Sequence, residues 1–207
     1  MTVAHPLKDI EFYFDFPSPY SYLASTQLPK LADTYGVDIV YRPFRILEAM
    51  KIVGNRPTTI ESAAKGKYAG ADLARWVRRY GIPFERNPHR RNFDFALLGQ
   101  IVLVANEQGR GQACVNAIFP AVWASTDDIG DRAVLAKRLD AAGFAAGTLI
   151  EQASSADYAV KLNDATTKAA ERGVFGAPTI FVGDEQFFGN DRLDFVAEAL
   201  TAAKKAA

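Results

Sequence analysis

The sequence has 207 residues and a single cysteine, Cys114. One cysteine cannot form a disulfide within the chain, so the fold does not require an oxidising compartment. Cys114 lies in the segment GQACVNAIF, whose pattern is typical of a helix. We therefore expect it to be a small buried apolar side chain rather than a reactive thiol.

Long apolar runs and an excess of one charge are missing as well. No stretch approaches the ~20 apolar residues that a membrane-spanning helix needs, and the N-terminal segment MTVAHPLKD lacks the apolar core of a signal peptide. We expect a soluble, cytoplasmic protein. The 24 basic and 24 acidic residues balance, which gives no support for a nucleic-acid or membrane partner. No metal site is predicted.

The start of the chain alternates between strand and helix patterns. The aromatic-rich run from Asp9 to Phe16 is short and ends at prolines, which predicts a strand. A helical period follows from Pro19 to Gly36, with a kink expected at Pro29. The alternating run from Val37 to Phe44 predicts a second strand. Such short connections favour a parallel βαβ unit.

The middle of the chain, from about Leu47 to Arg172, shows only helical patterns and loops. Its last helix is predicted over 155–173, with Ser155 as N-cap. Strand patterns then return over 179–182 and 186–188, and the Gly-Asp pair between them predicts an antiparallel hairpin. An amphipathic helix capped by Asn190 or Asp191 closes the chain. The layout is βαβ, a long helical insert, then αββα.

Two serines, Ser18 and Ser21, stand at the start of the first predicted helix in DFPSPYSYLA. A helix N-terminus offers free N–H groups and about half a positive charge, which favours a nearby anion such as a thiolate. Ser18 precedes Pro19 and is the natural N-cap. Capping alone is the simpler interpretation of Ser18.

A proline opens the first strand of the predicted hairpin, in GVFGAPTIFVGD. Pro178 is either an edge-strand proline or a cis-proline that leaves the Ala177 backbone free to pair with a ligand amide. With the serine turn, it resembles the thioredoxin fold, where a Cys-x-x-Cys helix start faces a cis-proline loop. Serines fill both cysteine positions here, and disulfide exchange needs thiolates. The chain by itself cannot be a dithiol oxidoreductase.

Four segments together resemble 2-hydroxychromene-2-carboxylate isomerases: FYFDFPSPYSYLA, KGKYAGADLARW, YGIPF and VFGAPTIFVGDEQFFGNDRL. These bacterial enzymes of aromatic-hydrocarbon breakdown, such as naphthalene degradation, are similar to kappa-class glutathione transferases. The resemblance runs from about Glu11 to Phe195. It implies an α/β, thioredoxin-like, DsbA-related fold with a large all-helical insertion. We expect a thioredoxin-like domain over 8–46 and 174–207, with helix 155–173, and an inserted helical domain over 47–154.

The resemblance implies glutathione as cofactor, with Ser18 as the catalytic residue beside its sulfur. A hydroxyl that donates to the sulfur at a helix N-terminus favours the thiolate. Ser18 then stabilises the thiolate, and the sulfur itself is the nucleophile. No catalytic role is assigned to Ser21.

The other glutathione contacts implied by the resemblance each have a simpler alternative. Lys65, three residues before Tyr68, pairs with a carboxylate of the tripeptide or is a solvated lysine like Lys67. Asp191 takes the γ-glutamyl ammonium or merely caps the last helix. The full implied set is Ser18, Asn55, Lys65, the Ala177 backbone, Phe188, Gly189, Asn190 and Asp191.

An aromatic anionic substrate needs an apolar slot and a cationic or amide partner. Asn55 is one candidate, although it is also typical of a Gly-Asn turn. Asn87 and Arg90 are candidates in the loop ERNPHRRNF, which also carries Arg91 and Asn92. His89 in this loop is a proton shuttle or, more simply, a solvent-facing histidine.

The reaction implied by the resemblance is a reversible isomerisation of 2-hydroxychromene-2-carboxylate to trans-o-hydroxybenzylidenepyruvate. The thiolate adds to a ring-opened enone, a bond rotates, and the thiol leaves unchanged. A homodimer is suggested by the resemblance alone. Two alternatives stay open: a kappa-like glutathione transferase that conjugates electrophiles, and a non-catalytic thioredoxin-fold binding module.

Overall fold

The computed structural model describes residues 9–206, so the segment MTVAHPLK, the predicted domain start at residue 8 and residue 207 lie outside the described residues. The four strands are β1 (Asp9–Phe14), β2 (Asp38–Pro43), β3 (Thr179–Val182) and β4 (Glu185–Phe188). The helices are α1 (Pro19–Tyr35), α2 (Ile46–Ile52), α3 (Thr58–Glu61), α4 (Ala63–Tyr80), α5 (Phe95–Glu107), α6 (Gly111–Trp123), α7 (Arg132–Ala141), α8 (Ala146–Ala153), α9 (Ala156–Glu171) and α10 (Leu193–Ala206), with short 3₁₀ turns at Arg90–Asn92 and Asn190–Arg192.

The strands form one mixed sheet in the order β2-β1-β3-β4. β1 pairs in parallel with β2 and antiparallel with β3, and β3 pairs antiparallel with β4. The predicted βαβ unit and hairpin are therefore confirmed, as is the thioredoxin-like fold class. β1 is central, with Phe12 and Phe14 fully buried on one face and Tyr13 buried on the other, which explains the aromatic run at its end.

The ends of the elements show where the sequence-based bounds were wrong. β1 was expected to reach Phe16 but ends at Phe14, because the chain turns there and the Ser18 N–H donates to the Asp15 carbonyl. The segment AGADLARWVRRYGI has a helical pattern from Ala69, but α4 begins earlier, at Ala63, because the Ser62 hydroxyl accepts from the Lys65 N–H. α1 continues through Pro29, and the predicted kink there stays a prediction.

Helix capping also differs from expectation. Ser155 occupies the N-cap position of α9, but its side chain makes no capping hydrogen bond. The prediction that Asn190 or Asp191 caps the last helix is wrong. The 3₁₀ turn Asn190–Arg192 precedes α10, so both residues lie inside this turn. The N-cap position of the turn is Gly189, which has no side chain to cap it. The physical reason is the Gly189 backbone, whose φ of 109° leads the chain into the turn without a side-chain cap.

The buried core joins the sheet to the helices that follow β2. Phe119 of α6 packs on Phe14 and Phe16, with ring centroids 5.5 and 4.7 Å apart. Cys114 is fully buried in the same cluster, and burial raises the pKa of its thiol to about 12. This confirms Cys114 as a buried apolar side chain. No helix within residues 9–206 is long and apolar enough to cross a membrane.

Candidate active site

Ser18 lies where the end of β1 turns into α1. It is the N-cap of α1, and its hydroxyl oxygen accepts from the Ser21 N–H at 3.2 Å. The same hydroxyl donates to the Ala177 carbonyl at 3.0 Å, although the two residues are far apart in sequence. Ser18 is only 7% exposed. The simpler reading, a capping serine, is correct, but the hydroxyl proton is directed across to a second loop.

That second loop carries the Ala177–Pro178 peptide bond, which is cis. Two hydrogen bonds hold this loop. The Thr179 hydroxyl donates to the Gly176 carbonyl at 2.9 Å, and the Gly189 N–H donates to the Pro178 carbonyl at 3.0 Å. Among the described residues, the Ala177 N–H has no acceptor. Hydrogen bonds thus join Ser18 to the cis-proline loop, and that loop to Gly189 at the start of the Gly-Asn-Asp segment.

Asn55 reaches the same loop from the connection after α2. Its side-chain amide donates to the Phe175 carbonyl at 2.8 Å and accepts from the Arg56 N–H at 2.8 Å. The ring of Phe175 lies 4.6 Å from that of Phe188, and both rings are exposed. An exposed aromatic pair with an amide beside it therefore borders the cis-proline loop.

Asn190 and Asp191 directly follow Gly189, whose N–H donates to the Pro178 carbonyl of that loop. Asn190 is 3% exposed, and its carbonyl accepts from the Tyr80 hydroxyl at 3.0 Å. Asp191 is exposed and pairs with Arg192 at 3.3 Å. A cavity of about 620 Å³ opens beside them between α1, α4 and the start of α10. Ser18 does not line this cavity, which approaches the site only from the Asn190–Asp191 side.

The first turn of α1 contacts α4 well after the start of that helix. The Tyr20 hydroxyl donates to the Ala69 carbonyl at 3.3 Å and lies 3.5 Å from the Asp72 carboxylate. Burial, reinforced by Asp72, raises the pKa of Tyr20 to about 12. Lys65 lies on the exposed first turn of α4, with no side-chain bond to the serine turn among the described residues.

The loop before α5 carries Asn87 and Arg90, the two predicted substrate residues, and their side chains make different contacts. Asn87 is 5% exposed, and its amide donates to the carbonyls of Ala121 and Asp127 and accepts from the His89 N–H. Both N–H groups of this amide are therefore used within the protein, and the amide is buried, so these contacts do not support the predicted role of Asn87. His89 is exposed, with Nδ1 3.6 Å from the Asp128 carboxylate.

Arg90 turns inward from this loop. Its guanidinium donates to the Pro17 carbonyl at 2.6 Å and lies 4.2 Å from the centre of the Trp123 ring. The Trp123 indole in turn donates to the Phe16 carbonyl at 2.9 Å. Arg90 thus contacts the residue directly before Ser18.

Asp15 is a residue of this site that the sequence analysis missed. Its carboxylate accepts from the Ile46 N–H at 2.9 Å. Part of the residue reaches solvent, but burial of the carboxyl raises its pKa to about 7, even though nearby Arg45 and Arg90 act in the opposite direction. A charged residue between Phe14 and Phe16, in a run that is mostly aromatic, was the signal that could have identified it.

Comparison with known proteins bears on the fold and the family of this chain. The DSBA-like thioredoxin domain matches residues 9–201. A 2-hydroxychromene-2-carboxylate isomerase of Sphingobium xenophagum is 39% identical, over 93% of this chain and 98% of that protein. The chain belongs to the 2-hydroxychromene-2-carboxylate isomerase family. A solved structure of such an isomerase superimposes with a TM-score of 0.82 at 32% identity, covering 94% of this chain and 95% of that one.

The chain is also similar to kappa-class glutathione transferases. A glutathione S-transferase kappa 1 of Caenorhabditis elegans is 30% identical, over 94% of this chain and 91% of that protein. At the start of α1, Ser18 and Ser21 occupy the two positions where a dithiol protein would have cysteines. The site therefore has a hydroxyl, and no thiol of its own, at the helix start.

Proposed function

We propose that the chain is a glutathione-dependent isomerase that interconverts 2-hydroxychromene-2-carboxylate and trans-o-hydroxybenzylidenepyruvate. The observation that carries the proposal is the buried Ser18 hydroxyl, placed between the N-terminus of α1 and the cis-proline loop. Support for the substrate comes from the isomerase relatives, which align over nearly the whole chain. Support for glutathione comes from the kappa transferase relative.

Ser18 fits a role beside a sulfur atom. Bound glutathione would supply a thiolate able to add reversibly to a conjugated enone. The free N–H groups at the start of α1 and its partial positive charge favour an anion there. The Ser18 hydroxyl has one proton, so it must turn from the Ala177 carbonyl to donate to the sulfur. The Ser21 N–H can still donate to the hydroxyl oxygen after that rotation.

The backbone around the cis-proline loop fits a peptide ligand. The Ala177 N–H has no acceptor among the described residues and can donate to a carbonyl of the tripeptide. Rotation of Ser18 frees the Ala177 carbonyl to accept. The exposed Asp191 carboxylate can take the γ-glutamyl ammonium, with Gly189 and Asn190 shaping the turn beside it. Lys65 can reach a carboxylate from the first turn of α4.

The aromatic pair of Phe175 and Phe188 fits the ring of a small aromatic carboxylate. Stacked or tilted aromatic contacts are a favourable surface for such a ring. Asn55, beside the pair, can offer its amide to the substrate or to glutathione. Membership of an aromatic-hydrocarbon pathway such as naphthalene degradation, a cytoplasmic location and a homodimer remain parts of the proposal.

A glutathione transferase that conjugates electrophiles is the second candidate, because the kappa relative is 30% identical over 207 aligned residues. It would use the same serine turn, so the two functions differ in the second substrate. The third candidate, a non-catalytic binding module, requires no turnover.

An absorbance assay separates these candidates. The purified protein is incubated with 2-hydroxychromene-2-carboxylate, with and without glutathione, and separately with glutathione and a halodinitrobenzene. The proposal expects chromene turnover that depends on glutathione, with slow conjugation. Rapid conjugation without chromene turnover would instead establish the transferase. If calorimetry showed no saturable glutathione binding, both enzyme functions would be excluded.

A further inference from the structure

Two consecutive carbonyls of the serine turn are held by residues from distant parts of the helical segment between β2 and α9. The Phe16 carbonyl accepts from the Trp123 indole at 2.9 Å, and the Pro17 carbonyl accepts from the Arg90 guanidinium at 2.6 Å. These bonds flank Ser18 on its N-terminal side. The backbone that aims the Ser18 hydroxyl is therefore fixed from outside the turn as well as by α1.

The guanidinium of Arg90 is itself held firmly in place. It lies over the Trp123 ring at 4.2 Å and near the Phe95 ring at 5.5 Å, an arrangement typical of cation–π contacts. The Arg90 Nε is buried and has no partner among the described residues. Leaving a buried N–H unpaired costs free energy, so this placement is maintained by the ring contact and the Pro17 bond together.

We propose that Arg90 is a positioning residue, which holds the serine turn through the Pro17 carbonyl and keeps a fixed positive charge beside the Ser18 site, rather than a substrate-binding residue. The proposal rests on the proposed function, because it assigns Arg90 a role in preparing the glutathione sulfur. It replaces the substrate role that the sequence suggested for this arginine.

The electrostatic part of the proposal depends on the charged neighbours. Burial lowers the pKa of Arg90, the nearby Arg86 acts in the same direction, and Asp15 opposes both. An arginine stays protonated under all ordinary conditions, so Arg90 supplies a permanent cation. Together with the N-terminus of α1, this cation favours an anion at Ser18. Ionisation of Asp15 partly offsets it.

A substrate contact and a positioning role predict different kinetics. Loss of a group that only binds substrate raises KM and leaves kcat unchanged. Loss of a group that sets the catalytic geometry lowers kcat, because small misplacements of a reacting group are costly. The ionisation of the bound thiol, followed by its ultraviolet absorbance, is a further readout that a purely structural role would not shift.

The experiment compares Arg90→Met and Arg90→Lys with the exposed Arg78→Met of α4 as control. For Arg90→Met we expect kcat to fall about tenfold or more, KM for the chromene to stay within about twofold, and the bound thiol to ionise at higher pH. Arg90→Lys keeps a charge and a donor, so it should recover part of kcat and of the thiol ionisation. Arg78→Met should match wild type in all three measurements.

Two results would overturn the inference. A raised KM with wild-type kcat in Arg90→Met would return Arg90 to the substrate. A lowered melting temperature with unchanged kcat and thiol ionisation would make it a purely structural residue. Failure of the proposed function is a separate result, because wild-type protein would then show no glutathione-dependent turnover before any variant is compared.

Discussion

Ser18 has one hydroxyl proton and two possible acceptors for it. In the structure the proton goes to the Ala177 carbonyl, and the hydroxyl oxygen accepts from the Ser21 N–H. A sulfur bound at the start of α1 would compete for that proton. The hydrogen bond to Ala177 therefore describes a resting arrangement, and binding exchanges one acceptor for another at little cost because both are hydrogen bonds.

Ser18→Ala removes the donor and the cap at once. We expect kcat to fall by about 100-fold, as for the loss of one positioned donor, and the free energy of unfolding to fall by about 1 kcal/mol, as for the loss of an N-cap. Steady-state kinetics and urea unfolding measure the two effects. Ser21→Ala is the matched control, since the Ser21 hydroxyl is buried without a partner among the described residues. Turnover by Ser18→Ala at the wild-type rate would leave Ser18 as a cap only.

Asp15 gives the protein a distinct dependence on pH. Its carboxyl has a pKa raised by burial from 3.8 to about 7 in the folded state. Between these two values the folded protein binds the proton and the unfolded chain does not. The stabilising effect of the protonated carboxyl is therefore complete below about pH 4 and is lost as the pH rises through about 7.

Asp15→Asn tests this dependence, because asparagine stays neutral. We expect the free energy of unfolding of wild type to fall relative to the variant as the pH rises from 4 to 7. The total fall is about 1.4 kcal/mol for each unit by which the folded pKa of Asp15 exceeds its unfolded pKa. Urea unfolding at several pH values measures the difference. A wild-type-minus-variant difference that stays flat over this range would show that the carboxyl titrates normally.

Individual site residues could be predicted from the sequence to different degrees. Ser18 and Ala177 stand next to prolines at element boundaries, so local sequence marks them. Arg90 and Trp123 contact the serine turn across long stretches of chain. Nothing in their local sequence records that contact. The same limit affected Asn87, whose partners lie on and just after α6.

The elements that determine the fold were predictable where a local pattern decides the structure. The hairpin of β3 and β4 follows from its Gly-Asp turn, and β1 from its apolar run. α2 buries one side chain, Ala49, and gave no strong periodic pattern. α3 has only four residues, too few to show a helical period. The start of α10 was misjudged because Gly189, and not a side-chain cap, leads the chain into it.

Gly189→Ala tests the junction between β4 and α10. The Gly189 φ of 109° is a conformation that favours glycine, and an added Cβ would lie 2.3 Å from the Asp191 carboxylate oxygen. We expect the variant to lose about 1–3 kcal/mol of unfolding free energy from backbone strain, and to bind glutathione more weakly as Asp191 is displaced. Urea unfolding and calorimetry measure these effects.

Gly147→Ala is the control for that variant. Gly147 lies in α8, has no positive φ, and has no atom within 4 Å of an added Cβ. Alanine there should stabilise the helix by about 0.5–1 kcal/mol. Equal effects of the two substitutions would contradict the special role of the Gly189 backbone.

At the scale of the whole molecule, one buried cluster contains residues of the sheet and of the helical segment between β2 and α9. Phe14 of β1 and Phe119 of α6 belong to it, as do Ile180 of β3 and Leu139 of α7. The division into a thioredoxin-like domain and an inserted helical domain over 47–154 remains a proposal about boundaries. A shared core indicates that the two parts unfold together even if that division is adopted.

Phe119→Ala tests the shared core. Phe119 is 1% exposed and packs on Phe14 and Phe16, so the variant should lose about 3–5 kcal/mol of unfolding free energy. Far-ultraviolet circular dichroism and the fluorescence of the two tryptophans, Trp76 and Trp123, should still report one coincident transition. Phe195→Ala is the control, because Phe195 is 45% exposed on α10 and its loss should change little. If the two probes separated in Phe119→Ala, the molecule would unfold in more than one step, and the expectation that the two parts unfold together would be wrong.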